Sequence, residues 1–260
     1  MRKIFVFIVL LFLMSFDANS FTLSQSVNSD HRDEKNMLRD RYRNPIETLN
    51  FFRVEPSMTI VELSPGRGWY TEILAKYMFE NGRYIAVPYN PNLGGYAERL
   101  WDNYSSLLQS NEIYSKIEIS YLFDKMAEDE SVDAVLTFRN IHNWINDGAK
   151  NAKIIFEQTY NVLRSGGFFG VVEHRAKINT SVEDMYKSGY VTEQFIIDLA
   201  KDTWFVLIDK SEINANSTDM KNYPKGVWTL PPSLRLKDQN RSKYLEIGES
   251  DRMTLLFQKP

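Results

Sequence analysis

The sequence has no cysteine, which excludes a disulfide framework, a thiolate nucleophile and any cysteine-ligated metal. At 260 residues the chain does not need disulfides, because a core of that size is stable without them. Positive charge is not concentrated either. The formal net charge is -3, and no basic stripe follows a would-be phosphate backbone, so no nucleic-acid partner is expected. The one locally basic run, Arg39-Asp40-Arg41-Tyr42-Arg43, reads as a solvated helix face. Internal repeats and low-complexity tracts are absent. What is present is apolar: 43% hydrophobic and 13% aromatic residues exclude global disorder.

The N-terminus has a different character. Arg2 and Lys3 precede an apolar run from Ile4 to Met14 that is too short to span a bilayer as an ordinary helix. Ala18-Asn19-Ser20 then offers small residues for cleavage after Ser20. This is the pattern of a secretory signal peptide over residues 1–20. It implies a periplasmic or secreted protein with no stable membrane anchor once the leader is removed. Residues 21–43 read as a linker and N-terminal extension, and 44–260 as one domain.

Within that domain Asn44 is placed to cap a helix and Pro45 suits its first position, with Ile46, Leu49 and Phe52 at helical spacing. From Met58 onward, apolar runs alternate with amphipathic stretches. Strands are expected at 59–63, 83–87, 117–120, 132–138 and 168–172. The clearest helical stripe is Ala152, Ile155, Phe156, Thr159, Tyr160 and Leu163, which the Gly166-Gly167 pair should stop. Two more strands, 204–208 and 253–257, have no helical pattern between them, only a Pro-, Asn- and Tyr-rich insertion over 212–250. The expected architecture is α/β: a Rossmann-like, mostly parallel sheet of seven strands, helices on both faces, and an antiparallel last strand.

The first strand runs into Glu62-Leu63-Ser64-Pro65-Gly66-Arg67-Gly68 and then a helix, the context in which glycines let the backbone approach a ligand. A dinucleotide fingerprint would need a third glycine where Tyr70 and Thr71 stand, and no Walker lysine is present. The acidic Glu62 suits a cationic ligand without phosphates.

This loop resembles the E-x-G-x-G-x-G loop of class I S-adenosylmethionine (SAM)-dependent methyltransferases, and Leu163-Arg164-Ser165-Gly166-Gly167 resembles their L-K-P-G-G turn. The blocks at 137–144, 170–175 and 248–253 are similar to a branch of bacterial methyltransferases that is often exported. The resemblance implies SAM as cofactor, held by Glu62, Ser64, Gly66, Gly68, Asn90 and Arg139. Ser64 stands where the family has its first loop glycine. After the second strand, Ala86-Val87-Pro88-Tyr89-Asn90 has no carboxylate for the ribose, which leaves Asn90 as a neutral substitute.

Ligands in open parallel sheets bind beyond the carboxyl ends of the strands, where this chain places two polar groups. Arg139, Asn140, His142, Asn143 and Trp144 follow the fourth strand, and Glu173, His174 and Arg175 the fifth. His142 or His174 is a candidate general base, and Asn140 a candidate to orient the acceptor. Asn143, Trp144, Glu173, Arg175 and, in the insertion, Trp228 are candidate substrate contacts. An ion pair of Glu173 with Arg139 or Arg175 is the competing structural reading. His142, His174 and Glu173 have the chemistry of a facial triad, but the reading adopted here has no metal. Two functions follow: methyl transfer to a small-molecule acceptor, or a non-catalytic exported module that binds a small ligand. Oligomeric state is left open.

Overall fold

The computed structural model describes residues 20–260. The expected leader, apart from Ser20, lies outside the described residues. Among those described, no helix is long and apolar enough to cross a membrane.

Three short helices open the described chain: α1 (Leu23–Val27), α2 (Glu34–Met37) and α3 (Asp40–Arg43). Thr22 and Gln25 form a reciprocal capping box on α1, which satisfies two orphan donors of the first turn. The linker expected over 21–43 is therefore folded. Leu23 and Val27 are buried in the core, and the buried Arg32 donates to Val27 O at 2.6 Å and bidentately to Asp40 at 2.8 and 2.9 Å. Asn44 is not a side-chain cap. It joins α3 to α4 (Pro45–Phe51) in the left-handed region at φ 40°, and its Nδ2 donates to Ile213 O at 2.7 Å.

The alternating part follows as β1 (Thr59–Leu63), α5 (Thr71–Tyr77), β2 (Arg83–Val87), α6 (Gly95–Ser110), β3 (Glu118–Ile119), β4 (Val132–Phe138), α7 (Ile141–Trp144), α8 (Lys150–Val162) and β5 (Leu163–His174). Then come α9 (Val182–Ser188), α10 (Glu193–Asp202), β6 (Val206–Ser211), α11 (Arg241–Ile247) and β7 (Arg252–Gln258). The sheet order is β3-β2-β1-β4-β5-β7-β6. All pairings are parallel except those of β7 with β5 and β6. The expected sheet is the observed one. Boundaries differ: β6 runs from Val206 to Ser211 rather than over 204–208, and the glycine pair does not precede β5 but lies within it, where Gly166 has φ 78°. The ladder slips there, between Val132 and Ala134 of the partner strand, as a bulge does.

Period-two alternation divides the core. Val61, Leu63, Val87 and Val135 face one helical layer with α7, α8 and α10. Ile60, Ala86, Ala134 and Leu136 face the other with α1, α4, α5 and α6. Each fully buried valine, leucine or isoleucine among them contributes about 1.5–3 kcal/mol. The strand order reverses between β1 and β4, so the crevice expected of such sheets opens at the carboxyl ends of these two strands.

Candidate functional site

The loop after β1 is shaped by left-handed backbone at three alternate positions: Ser64 (φ 49°), Gly66 (φ 64°) and Gly68 (φ 83°). The two glycines differ in what a side chain would meet. A Cβ at Gly68 would come within 2.1 Å of Leu107 Cδ2, whereas one at Gly66 would meet nothing within 4 Å. Gly68 therefore serves close packing against α6, and Gly66 borders open space. A serine at φ 49° accepts strain of about 1 kcal/mol, which a glycine would not.

Glu62 stands near the end of β1, just before this loop. It is buried, and its Oε2 accepts hydrogen bonds from Tyr84 Oη and from Thr71 Oγ1 at 3.0 Å. Burial pushes its pKa up to about 7, against the hydrogen bonds of Tyr84 and Thr71 and the charge of Arg139. One oxygen of this carboxylate, Oε2, is thus engaged internally. At the end of β2, Asn90 Oδ1 caps the following turn by accepting from Asn92 N at 3.0 Å, which leaves its amide for a ligand. Asn140 fastens the two central strand ends: its Nδ2 donates to Leu63 O at 3.0 Å and to Thr137 Oγ1 at 3.1 Å.

The polar ends of β4 and β5 do meet. His142 Nδ1 lies 3.1 Å from Glu173 Oε1, and its backbone N–H donates to Glu173 Oε2 at 3.3 Å. The His174 N–H donates to the same Glu173 Oε1 at 2.7 Å. Glu173 thus pairs with neither Arg139 nor Arg175, and its partner is a histidine. The two imidazole centroids are 5.4 Å apart, and the Trp228 ring stands edge-on to His142 at 5.9 Å. His174 Nδ1 is 2.5 Å from Ser250 Oγ. Burial pushes the His174 pKa well down, and His142, Arg252, Arg139 and Arg43 push it the same way. The His174 ring is therefore neutral at neutral pH.

Ligand atoms of His142, Glu173 and His174 all lie within 4.8 Å of one another. Both Glu173 oxygens, however, already accept hydrogen bonds, so the group as folded is an oriented Glu–His pair. In the neutral imidazole of His142, Nδ1 carries the proton toward Glu173 and leaves the Nε2 lone pair free. Long-range ¹H–¹⁵N NMR should find His142 in this single tautomer. In Glu173→Gln the amide can donate to Nδ1, so the tautomers should mix; an unchanged spectrum would remove Glu173 from this orienting role.

Two expected substrate contacts lie elsewhere. Trp144 is buried in the core with its Nε1 donating to Tyr89 Oη at 3.1 Å, because it shares a packed turn with Ile141 and Ile145. Arg175 is engaged by Asp251 at 2.9 and 3.0 Å and by Glu212 at 2.5 and 2.7 Å, tying β5 to the insertion. Arg175→Leu should lower stability by about 2 kcal/mol, read by urea unfolding, with ligand affinity unaltered. Asn143 is exposed at the rim.

The basic run before Asn44 is not a solvated face. Arg43 is buried, and both Arg39 and Arg43 reach Glu249, at 2.6 and 3.3 Å. Arg139 follows β4 with φ 64° and places Nη1 3.9 Å from the same carboxylate, which Arg252 also binds. Short-range patterning carries no trace of the Arg39 and Arg43 contacts, which join residues about two hundred positions apart in the chain.

No protein-family model and no curated protein matches the sequence. Solved structures do resemble it. A SAM-dependent methyltransferase from Aquifex aeolicus is 13% identical, with 93% of this chain and 100% of that one covered and a TM-score of 0.58. Geranyl diphosphate C-methyltransferase from Streptomyces coelicolor, solved with Mg2+, geranyl diphosphate and S-adenosyl-L-homocysteine, is 12% identical over 90% and 87% of the two chains, with a TM-score of 0.54. The cyclase SpnF is 13% identical over 92% of each chain, with a TM-score of 0.60. A cyclase among these structures illustrates that a shared fold does not carry a shared reaction. The chain therefore has the Rossmann-like fold found in class I SAM-dependent methyltransferases.

Proposed function

We propose that this protein is a SAM-dependent methyltransferase acting on a small-molecule acceptor. The observation that carries the reading is the left-handed loop with open space at Gly66, located at the sheet's switch point beside an oriented Glu173–His142 pair.

The residues fit the cofactor in part. The backbone of Ser64 to Gly68 would hold it, and the Asn90 amide would serve its ribose hydroxyls without charge, more weakly than a carboxylate does. Glu62 stays behind the loop as a buried support. Bound there, SAM supplies a methyl group on a sulfonium, a good leaving group.

The chain's own residues then have three tasks. His142 Nε2 accepts the proton that an acceptor nitrogen or oxygen loses as its bond to carbon forms, a contribution of about 10²–10⁴ in rate. Glu173 holds the imidazole in the required tautomer and stabilises its protonated form. Trp228, over His142 and stacked under Arg235 at 4.4 Å, keeps water from the acceptor side.

Calorimetry on the mature chain should show saturable binding of SAM or S-adenosylhomocysteine tighter than about 1 mM. Absence of heat at millimolar ligand would overturn the reading.

A further inference from the structure

Around Glu249 four guanidiniums share one carboxylate. Arg39 Nε and Arg43 Nε lie 2.6 and 3.3 Å from its two oxygens, Arg252 Nη2 binds it, and Arg139 Nη1 stops at 3.9 Å. The Glu249, Arg43 and Arg252 side chains are only 2–4% exposed. Desolvation opposes the charge on Glu249, yet Arg43, Arg252, Arg39 and Arg139 together hold its pKa well below the usual carboxylate range.

No other carboxylate balances the group. Asp251 is engaged by Arg175 and Lys221, and Glu173 by the two histidine residues. Glu62, acting on Arg139 from behind the loop, titrates at about 7. A formal excess of three positive charges is thus gathered in a half-dry space, a costly arrangement unless an anion completes it. Donors are left over as well. Arg43 Nη1 and Arg252 Nε are buried without a hydrogen-bond partner; elsewhere Arg43 lies over the Trp69 ring and Arg252 donates to Tyr42 O at 2.8 Å.

The position is that of a ligand group. Arg139 leaves the end of β4, and Arg252 opens β7 directly across from His174. A polar cavity of about 210 Å³ adjoins Glu249 and Ser250; Arg41, Tyr42 and Asn44 line it, and Arg43, Arg139 and Arg252 do not, while Ser250 holds His174. We propose that Arg43, Arg139 and Arg252 form an oxyanion site. Its occupant is a carboxylate or phosphate group of the acceptor, an assignment of the occupant that rests on the methyl-transfer reading. Planar guanidinium donors match both groups.

The test is calorimetric titration of the mature chain, without SAM, with inorganic phosphate and separately with succinate, in low-salt buffer. Saturable binding of one stoichiometric equivalent is expected, and the tighter of the two identifies the oxyanion type. Arg139→Gln should weaken it at least tenfold, and Glu249→Gln should tighten it by removing the internal competitor. Lys177→Gln, on the exposed surface, should leave it within twofold. Arg139 makes no hydrogen bond through its side chain that the fold requires, so its variant remains decisive if Glu249→Gln does not fold. No saturable binding, or binding indifferent to Arg139→Gln, overturns the oxyanion site. SAM binding without either anion removes this proposal alone, and anion binding without SAM removes only the methyl-transfer reading.

Discussion

Gly66→Trp should bind SAM at least 100-fold more weakly than the native chain while unfolding within about 2 kcal/mol of it. The backbone at residue 66 is left-handed, with φ 64°, so any side chain there costs about 1–2 kcal/mol in strain. Beyond that the fold has little to lose, because a Cβ at this position meets no atom within 4 Å. An indole built from it projects from the loop toward the space a ligand held by that backbone would fill, and a 100-fold loss corresponds to about 2.7 kcal/mol of binding. Gly68 is the contrasting control. Its Cβ would collide with Leu107 and crowd Tyr104, so Gly68→Ala should damage the packing of α6 and lower stability in its own right. Calorimetry paired with urea unfolding separates the two. Native-like SAM affinity in Gly66→Trp would show that the open space beside the loop is not where the cofactor lies.

The second large effect is on stability, at Glu62. The folded carboxyl titrates at about 7, against the ordinary 4.5 of a glutamate, so the folded state holds this proton more tightly than the unfolded chain does. The stability it contributes is complete below about pH 4.5 and is lost as pH rises through 7, by about 3 kcal/mol at 1.36 kcal/mol per pKa unit. Glu62→Gln removes that titration and keeps an acceptor for Tyr84 and Thr71. The variant should match the native protein near pH 4.5 and exceed it at pH 8 by up to about 3 kcal/mol. His174 works in the opposite sense. Its lowered pKa gives stability that is present above 6.5 and declines as pH falls below it, so the native profile alone mixes the two. Subtracting the variant's curve isolates Glu62, because both proteins keep His174. A difference that does not change between pH 5 and 8 would refute the assignment.

Both expectations concern residues visible in the primary structure, but with unequal clarity. Strand and helix alternation from Thr59 onward was legible because burial on a two-faced sheet imposes local periods, two along β1 and near 3.6 along α8. The antiparallel close was legible although the expectation of no helix between β6 and β7 was not met: the short α11, only seven residues, lies there. The site was legible to the level of neighbourhood. That Glu173 and His142 lie at adjacent strand ends follows from topology, but their pairing depends on side-chain geometry that spacing does not encode. The segment over 21–43 was misread as a linker because its helices span only four or five residues, too few for a stripe to show. Trp144 was misplaced because one short turn gives no periodicity to distinguish an inward ring from an outward one. Least visible was the convergence on Glu249. Arg39, Arg43 and Arg139 stand far from Glu249 in the chain, and charge pairing at that separation has no local signature; only Arg252, at i+3, is its sequence neighbour.

The reversed last strand has a further consequence. Because β7 runs against both its neighbours, β6 leaves the sheet at Ser211 on the same rim where β7 re-enters at Arg252, and the register sets Ser211 beside Thr254. The intervening stretch is therefore one excursion from a single rim, held to the frame by Arg175 on Glu212 and by Arg39 and Arg43 on Glu249. Trp228, Glu249 and Ser250 all belong to it, whereas the glycine loop and the histidine pair belong to the frame. A change of sequence in this one stretch therefore reaches both the Trp228 edge of the histidine pair and the Glu249 contacts, with strand order unaffected.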